Sequence, residues 1–309
     1  MYTPLRPATS QHLPLRTLSY HVRSWGQAQP GSTPLVLLHG WMDVSASWQF
    51  VVDAFSQAFA QGRHIIAPDW RGFGLTTAPM AVDNYHLVDY LGDLDALLHQ
   101  LVPDGGPVDL VGHSMGGNVS MFYAGARPAR IRRLVNLEGF GLAPTRPEQA
   151  PQRIGQWLDE LQQCRDGALA LKSYASVDEV AQRLRKTNPR LPQDKALWLA
   201  GQWAAPQADG RWAILGDAAH KVVNPHLFRL EETLAHYAAI TAPLLAVEAA
   251  DDSLASWSKG EYTLAQYHQR LQSVARHRVA RVDDAAHMLH HDQPAAVAQL
   301  IEDFCSAGD

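Results

Sequence analysis

Cysteine is scarce. Two residues in 309, Cys164 and Cys305, give neither a disulfide framework nor thiolate metal spacing. Charge of one sign is never concentrated: no run of five or more like charges occurs, and the net charge is −5. That argues against a broad electrostatic partner such as nucleic acid or an anionic membrane. No apolar stretch reaches the roughly 18 residues of a membrane span. The opening MYTPLRPATSQHLPLRTLSY has prolines and polar residues but no apolar core of a secretory signal. Internal repeats and low-complexity tracts are missing as well. The expectation is a soluble, cytoplasmic protein with no membrane span. The composition, 46% hydrophobic and 18% charged, is ordinary for a globular chain, and the length allows a large buried core.

Five short apolar runs end in polar or glycine-rich loops: PLVLLHG, HIIAPDWRGFG, VDLVGHSMGG, RLVNLEGFG and PLLAVEAADDS. Runs of this kind are strands buried on both faces. Helical periodicity lies between them. Leu87, Val88, Leu91, Leu94, Leu97, Leu98 and Leu101 recur at spacings of three and four, and NVSMFYAGARP stops at Pro128. Alternating buried strands and helices predict an α/β fold, a mostly parallel sheet with helices on both faces. Residues 140–242 break this rhythm. They carry helix-like stretches (IGQWLDELQQC, VDEVAQRLRK, DKALWLAGQWA, RLEETLAHYAAI) and no clear buried strand. The interval is too long for a plain crossover. It reads as a helical cap inserted into a core formed by residues 1–139 and 243–309. Trp198 and Trp203 on it read first as packing onto the core, and second as lining an apolar pocket.

Gly112-His113-Ser114-Met115-Gly116 is a G-x-S-x-G sequence with a strand before it and a helix after it. A serine on so sharp a turn is strained, and small neighbours relieve the crowding. The turn lifts the hydroxyl above the sheet and aims the Met115 amide at a developing oxyanion. A serine hydroxyl needs a base. Of fifteen histidines, His287 stands in the loop between the last strand-like run, HRVARV, and the C-terminal helix. His39 and His113 read as loop-ordering groups. HMLHHD hints at a metal, but two histidines and an aspartate lack further ligands, so no metal is expected.

The base needs an orienting carboxylate. Asp252, after PLLAVEA, is expected in that role, with Glu138, after RLVNL, as the alternative; both follow strands and both fit the order Ser, acid, His. The second oxyanion donor is expected from His39-Gly40-Trp41-Met42-Asp43, with the Trp41 amide as donor. Asp69 and Arg71 read as structural.

The sequence resembles the α/β-hydrolase superfamily over nearly its whole length. LLHGWMDVSASW looks like the oxyanion-loop segment, PDWRGFGLT the D-x-R-G-x-G loop, and VGHSMGG the nucleophile elbow. PLLAVEAADDS looks like the acid-bearing strand and AAHMLHHDQP the histidine loop. Within the superfamily it looks most like the serine-hydrolase-like and mesoderm-specific-transcript-like group. The resemblance implies a cap between the sixth and seventh strands of the family's sheet. These motifs are specific for the fold and not for a substrate; the serine, base and acid lead to the expectation of a hydrolase of small or medium carboxylic esters that needs no cofactor, and the apolar cap to a partly apolar substrate. Two departures stand out. Glu248-Ala249-Ala250 replaces the glycine usual after the acid strand, which blurs the register of Asp252. LVNLEGFGLAP resembles the haloalkane dehalogenases, which place their acid where Glu138 stands. Dehalogenases and epoxide hydrolases of this fold use an aspartate nucleophile, and here that position is Ser114. Carbon–carbon, lactone or amide cleavage, and a non-catalytic ligand-binding role, are the rival readings.

Overall fold

A computed structural model describes residues 2–307. Eight strands form one sheet in the order β1-β2-β4-β3-β5-β6-β10-β11. They are β1 (Thr9–Leu15), β2 (Leu18–Trp25), β3 (Leu35–Leu38), β4 (Ile65–Pro68), β5 (Val108–His113), β6 (Ile131–Leu137), β10 (Leu244–Ala249) and β11 (His277–Val282). The first two pair antiparallel, and β2 also runs antiparallel to β4. From β4 through β11 every pairing is parallel. The five apolar runs are the five central strands, and nearly every residue in them is buried, because helices cover both faces. The two edges look different. β1 is mostly exposed and contains Pro14, and β11 carries the exposed Arg278 and Arg281, so neither offers a flat apolar edge for mispairing.

The helices are α1 (Gln49–Ala54), α2 (Gln57–Gln61), α3 (Leu87–Leu101), α4 (Met115–Ala126), α5 (Ala150–Arg165), α6 (Val177–Thr187), α7 (Gln193–Trp203), α8 (Leu230–Ala238), α9 (Ser253–Ser258), α10 (Leu264–Leu271), α11 (Leu289–Asp292) and α12 (Pro294–Ser306). One apolar cluster lies on the α3, α4 and α10 face, with Leu94, Val119 and Leu271 fully buried. A second lies on the α1 and α12 face, with Val51, Val297 and Ile301 fully buried. Burying each such aliphatic side chain contributes about 1.5–3 kcal/mol.

A third cluster belongs to the insert between β6 and β10. It joins α6 and α7 to Val44, Ala46 and Phe50, which follow β3. The insert also holds a small antiparallel sheet in the order β7-β9-β8, formed by Ser173–Tyr174, Trp212–Ile214 and Ala204–Pro206. Strands of two or three residues are too short to leave an alternation in the sequence, which is why the interval read as helical throughout. The expected far boundary at residue 242 also takes in α8. That helix lies on α4, with the Phe122 and His236 rings 4.7 Å apart, and so packs with the core. The insert is tied to the loop after β4 by Asp217 N–H donating to Gly72 O at 2.9 Å and Gly74 N–H to Leu215 O at 2.8 Å. Among the described residues, no helix is long and apolar enough to cross a membrane.

Candidate active site

Ser114 stands between β5 and α4 with φ 51° and ψ −115°. A non-glycine residue holds such angles only when its surroundings impose them, at a cost of about 1–3 kcal/mol. The surroundings are visible. A Cβ on Gly112 would lie 2.3 Å from Gly116 O, and one on Gly116 would lie 2.4 Å from Leu38 O. Only glycine lets strand, turn and helix close this tightly. The Ser114 amide donates to Leu137 O at 2.8 Å, which fixes the turn against β6.

His287 Nε2 lies 3.0 Å from Ser114 Oγ. Its Nδ1 lies 3.3 Å from Glu138 Oε2. A carboxylate only accepts, so Nδ1 carries the proton and Nε2 faces the hydroxyl with its lone pair. The main chain of His287 is held as well: His113 Nε2–H donates to His287 O at 2.7 Å. Burial pushes the His113 imidazole well below its ordinary pKa, so it stays neutral while doing so.

Glu138 sits one residue past β6 at φ 56°, another left-handed non-glycine at a strand end. Its carboxylate is buried and fully engaged. Oε1 accepts the Ala249 N–H at 2.7 Å, and Oε2 accepts from the Ser253 hydroxyl as well as from His287. The following turn is tied by Asn136, which accepts the Gly139 N–H at 3.0 Å and donates to Gly139 O at 2.8 Å.

Asp252 goes elsewhere. It is exposed and caps α9, accepting the Ala255 N–H at 2.8 Å. Its neighbour Asp251 pairs with Arg190 at 2.9 Å. The structure therefore brings Ser114, His287 and Glu138 together and leaves Asp252 out. The physical reason is the capping geometry: a carboxylate turned onto the first turn of its own helix is not turned toward β6. Ser253, one residue on, is the group from that loop that reaches Glu138. It was not singled out in the sequence, because a lone serine beside two aspartates carries no signal. Glu248, in the strand end where glycine is usual, pairs with His268 Nε2 at 2.5 Å. Burial raises the Glu248 carboxyl above its ordinary range.

The two expected oxyanion donors, the Trp41 and Met115 amides, belong to segments on either side of Ser114 in the fold: the loop after β3 and the first turn of α4. Gly40 packs beside it, since a Cβ there would lie 3.2 Å from Ser114 Cβ. Gly40 O accepts from His39 Nδ1 at 2.7 Å. Among the described residues the next amide, Trp41 N–H, has no protein partner. Met115 opens α4, and a first helical amide has no carbonyl one turn back. The Trp41 side chain is 53% exposed.

One group of described residues could hold a metal: Asp43, His290 and His291, all buried, with ligand atoms within 4.8 Å of one another. The Ser47 hydroxyl lies among them. It donates to Asp43 Oδ2 at 2.8 Å and contacts His291 Nε2, so the cluster is already a hydrogen-bonded tie between the loop after β3 and the histidine loop. Burial lowers the His291 pKa to about 3, which keeps it neutral. The sequence pattern HMLHHD did not reveal this grouping because its carboxylate, Asp43, is remote in the chain. Two surface concavities, about 480 and 550 Å³, are lined by other residues, Arg63 and Glu302 in one and Arg6 and Asp53 in the other.

A family model described as the alpha/beta hydrolase fold matches residues 33–294. The chain belongs to the α/β-hydrolase family. Its relatives carry several activities in their names. Over 307 residues it is 24% identical to a serine hydrolase-like protein of Danio rerio, covering 98% of this chain and 90% of that one. Over 111 residues it is 41% identical to epoxide hydrolase 2 of Siraitia grosvenorii, covering 36% of this chain and 34% of that one. That match therefore spans about a third of the relative's length. A hypothetical protein from Pseudomonas aeruginosa PAO1 superposes with a TM-score of 0.80 at 23% identity, covering 98% of each chain. The thioesterase domain from the curacin biosynthetic pathway superposes at 0.78 and 23% identity, covering 96% of this chain and 99% of that one. At these identities the structural likeness speaks for the fold. Membership of the α/β-hydrolase family supports a hydrolase acting on a small molecule.

Proposed function

We propose that this α/β-hydrolase is a serine hydrolase of carboxylic esters, with Ser114 as nucleophile, His287 as base and Glu138 as the orienting acid. The observation that carries the reading is the continuous line from Ser114 Oγ to His287 Nε2 at 3.0 Å and from His287 Nδ1 to Glu138 at 3.3 Å. Ser114 Oγ attacks the ester carbonyl carbon while its proton passes to His287 Nε2. The carbonyl electrons move onto oxygen, and the Trp41 and Met115 amides hold that oxyanion. The tetrahedral intermediate collapses, His287 protonates the leaving alkoxide, and an acyl-enzyme remains. Water, deprotonated by His287, attacks the acyl carbon and returns Ser114. Glu138 stabilises the imidazolium in both halves. The residues that carry this chemistry need no cofactor. The insert, up to the start of α8, acts as a cap, since it is fastened to the loops after β3 and β4 that border the site.

Serine at the elbow also separates this chain from its epoxide hydrolase relatives. A serine oxygen attacking an epoxide carbon would form an ether, which water does not cleave, whereas a carboxylate forms an ester, which it does. The test is turnover of p-nitrophenyl esters from acetate to long acyl chains by wild type, Ser114→Ala, Glu138→Gln and Asp252→Asn. Loss in the first two and retention in the third supports the reading. Turnover that survives Ser114→Ala overturns it.

A further inference from the structure

The Trp41 amide is fixed from two directions, and the two come from different parts of the chain. On one side, His39 Nδ1–H donates to Gly40 O at 2.7 Å. The Trp70 amide donates to His39 Nε2 at 2.9 Å, so that ring is neutral with its proton on Nδ1. In a trans peptide the N–H points opposite the C=O. The grip on Gly40 O therefore turns the Trp41 N–H away from His39, where it has no protein partner among the described residues. On the other side, Trp203 Nε1–H donates to Met42 O at 2.8 Å. Met42 stands at φ 55°, a conformation that a non-glycine residue keeps only under constraint.

His39 follows β3 in the core. Trp203 is the last residue of α7, in the insert, and is itself buried. Other insert contacts meet the same loop. The Met42 thioether lies against Gly216, and Val44 shares an apolar cluster with Leu199 and Trp203.

We propose that Trp203 is a positioning residue for the oxyanion hole: its indole holds Met42 in the left-handed conformation that presents the Trp41 amide to Ser114. The insert then sets the chemistry of the site as well as access to it. This inference rests on the serine-hydrolase reading above.

Trp203→Phe keeps an aromatic ring and removes the donor. The readouts are the second-order rate of Ser114 labelling by a short-chain alkyl fluorophosphonate, and kcat and KM for p-nitrophenyl acetate. Labelling and kcat are expected to fall about 10- to 100-fold, with KM changed less than about twofold, because a misplaced donor weakens transition-state binding far more than substrate binding. Trp198→Phe is the control. It lies on the same helix, packs on Tyr2 and Phe50 and, among the described residues, makes no hydrogen bond to the loop. Its labelling is expected to stay within about twofold of wild type. Benzothienylalanine at position 203, which keeps the bicyclic shape without the donor, repeats the test if phenylalanine melts the insert. Labelling of Trp203→Phe at the wild-type rate overturns the inference while the serine-hydrolase reading stands. Equal slowing in both variants also overturns it, since the cause would then be insert packing. A wild type that does not label at all sinks that reading and the inference with it.

Discussion

Glu138→Gln is the substitution that separates the two candidate acids, and its effect follows from hydrogen-bond geometry. Glu138 Oε1 accepts the Ala249 amide at 2.7 Å. A glutamine must keep its carbonyl oxygen there, because an NH2 group facing that N–H would set donor against donor. The amide nitrogen then takes the Oε2 position and faces His287 Nδ1. A donor in that position selects the imidazole tautomer with its proton on Nε2, pointing at Ser114 and unable to accept from it. Amide replacement of the acid in a serine triad costs about 10⁴-fold in kcat. With a contact of 3.3 Å, a fall of about 10³- to 10⁴-fold is expected, roughly 4–5.5 kcal/mol in the barrier. Asp252→Asn makes the opposite forecast. Asparagine caps a helix as well as aspartate does, so activity is expected within about twofold of wild type and stability within about 0.5 kcal/mol. The assay is initial-rate hydrolysis of p-nitrophenyl acetate, with circular dichroism to confirm folding. A Glu138→Gln enzyme with near-wild-type kcat, beside a crippled Asp252→Asn, would refute this reasoning.

Ser253→Ala removes a donor that shares Glu138 Oε2 with His287; kcat is expected to fall about threefold to tenfold in steady-state kinetics, and stability by about 1–3 kcal/mol in urea denaturation, since a buried carboxylate loses a hydrogen bond. Gly116→Ala puts a methyl group 2.4 Å from the Leu38 carbonyl, and a loss of about 3 kcal/mol or more is expected in urea denaturation, against a small effect for an exposed control such as Gly201→Ala. Stability should fall as pH drops from 6.5 toward 5. His220 is stacked between Phe73 and Tyr85, and His291 is enclosed near Asp43; burial lowers each to about 3, so the unfolded chain binds their protons first and the folded form loses about 1.4 kcal/mol per pH unit for each. His220→Phe should flatten that slope in melts taken across the same range, and an unchanged slope would contradict the assignment.

Much of this was legible in the residues because the chemistry is local. A buried parallel strand must be a continuous apolar run, and a serine elbow must carry small neighbours, so β5, Ser114 and the start of α4 could all be read from a dozen letters. His287 was legible by its place after the last strand. The acid was not. Glu138 and Asp252 both follow strands that end at the same sheet edge, and what separates them is the direction of a side chain. Asp252 turns onto its own helix, while Glu138 is aimed inward by a left-handed backbone and by the amide of Ala249. The small sheet of the insert was hidden for another reason: its strands are shorter than one period of any pattern. The Asp43, Ser47 and His291 tie joins segments that only the folded chain brings together.

The central claim, an activated Ser114, is tested most directly by intact-protein and peptide mass spectrometry after reaction with a fluorophosphonate. The account predicts one adduct, on the peptide containing Ser114, absent from Ser114→Ala and from His287→Ala. No adduct on the folded wild type, or an adduct that persists in Ser114→Ala, would contradict it.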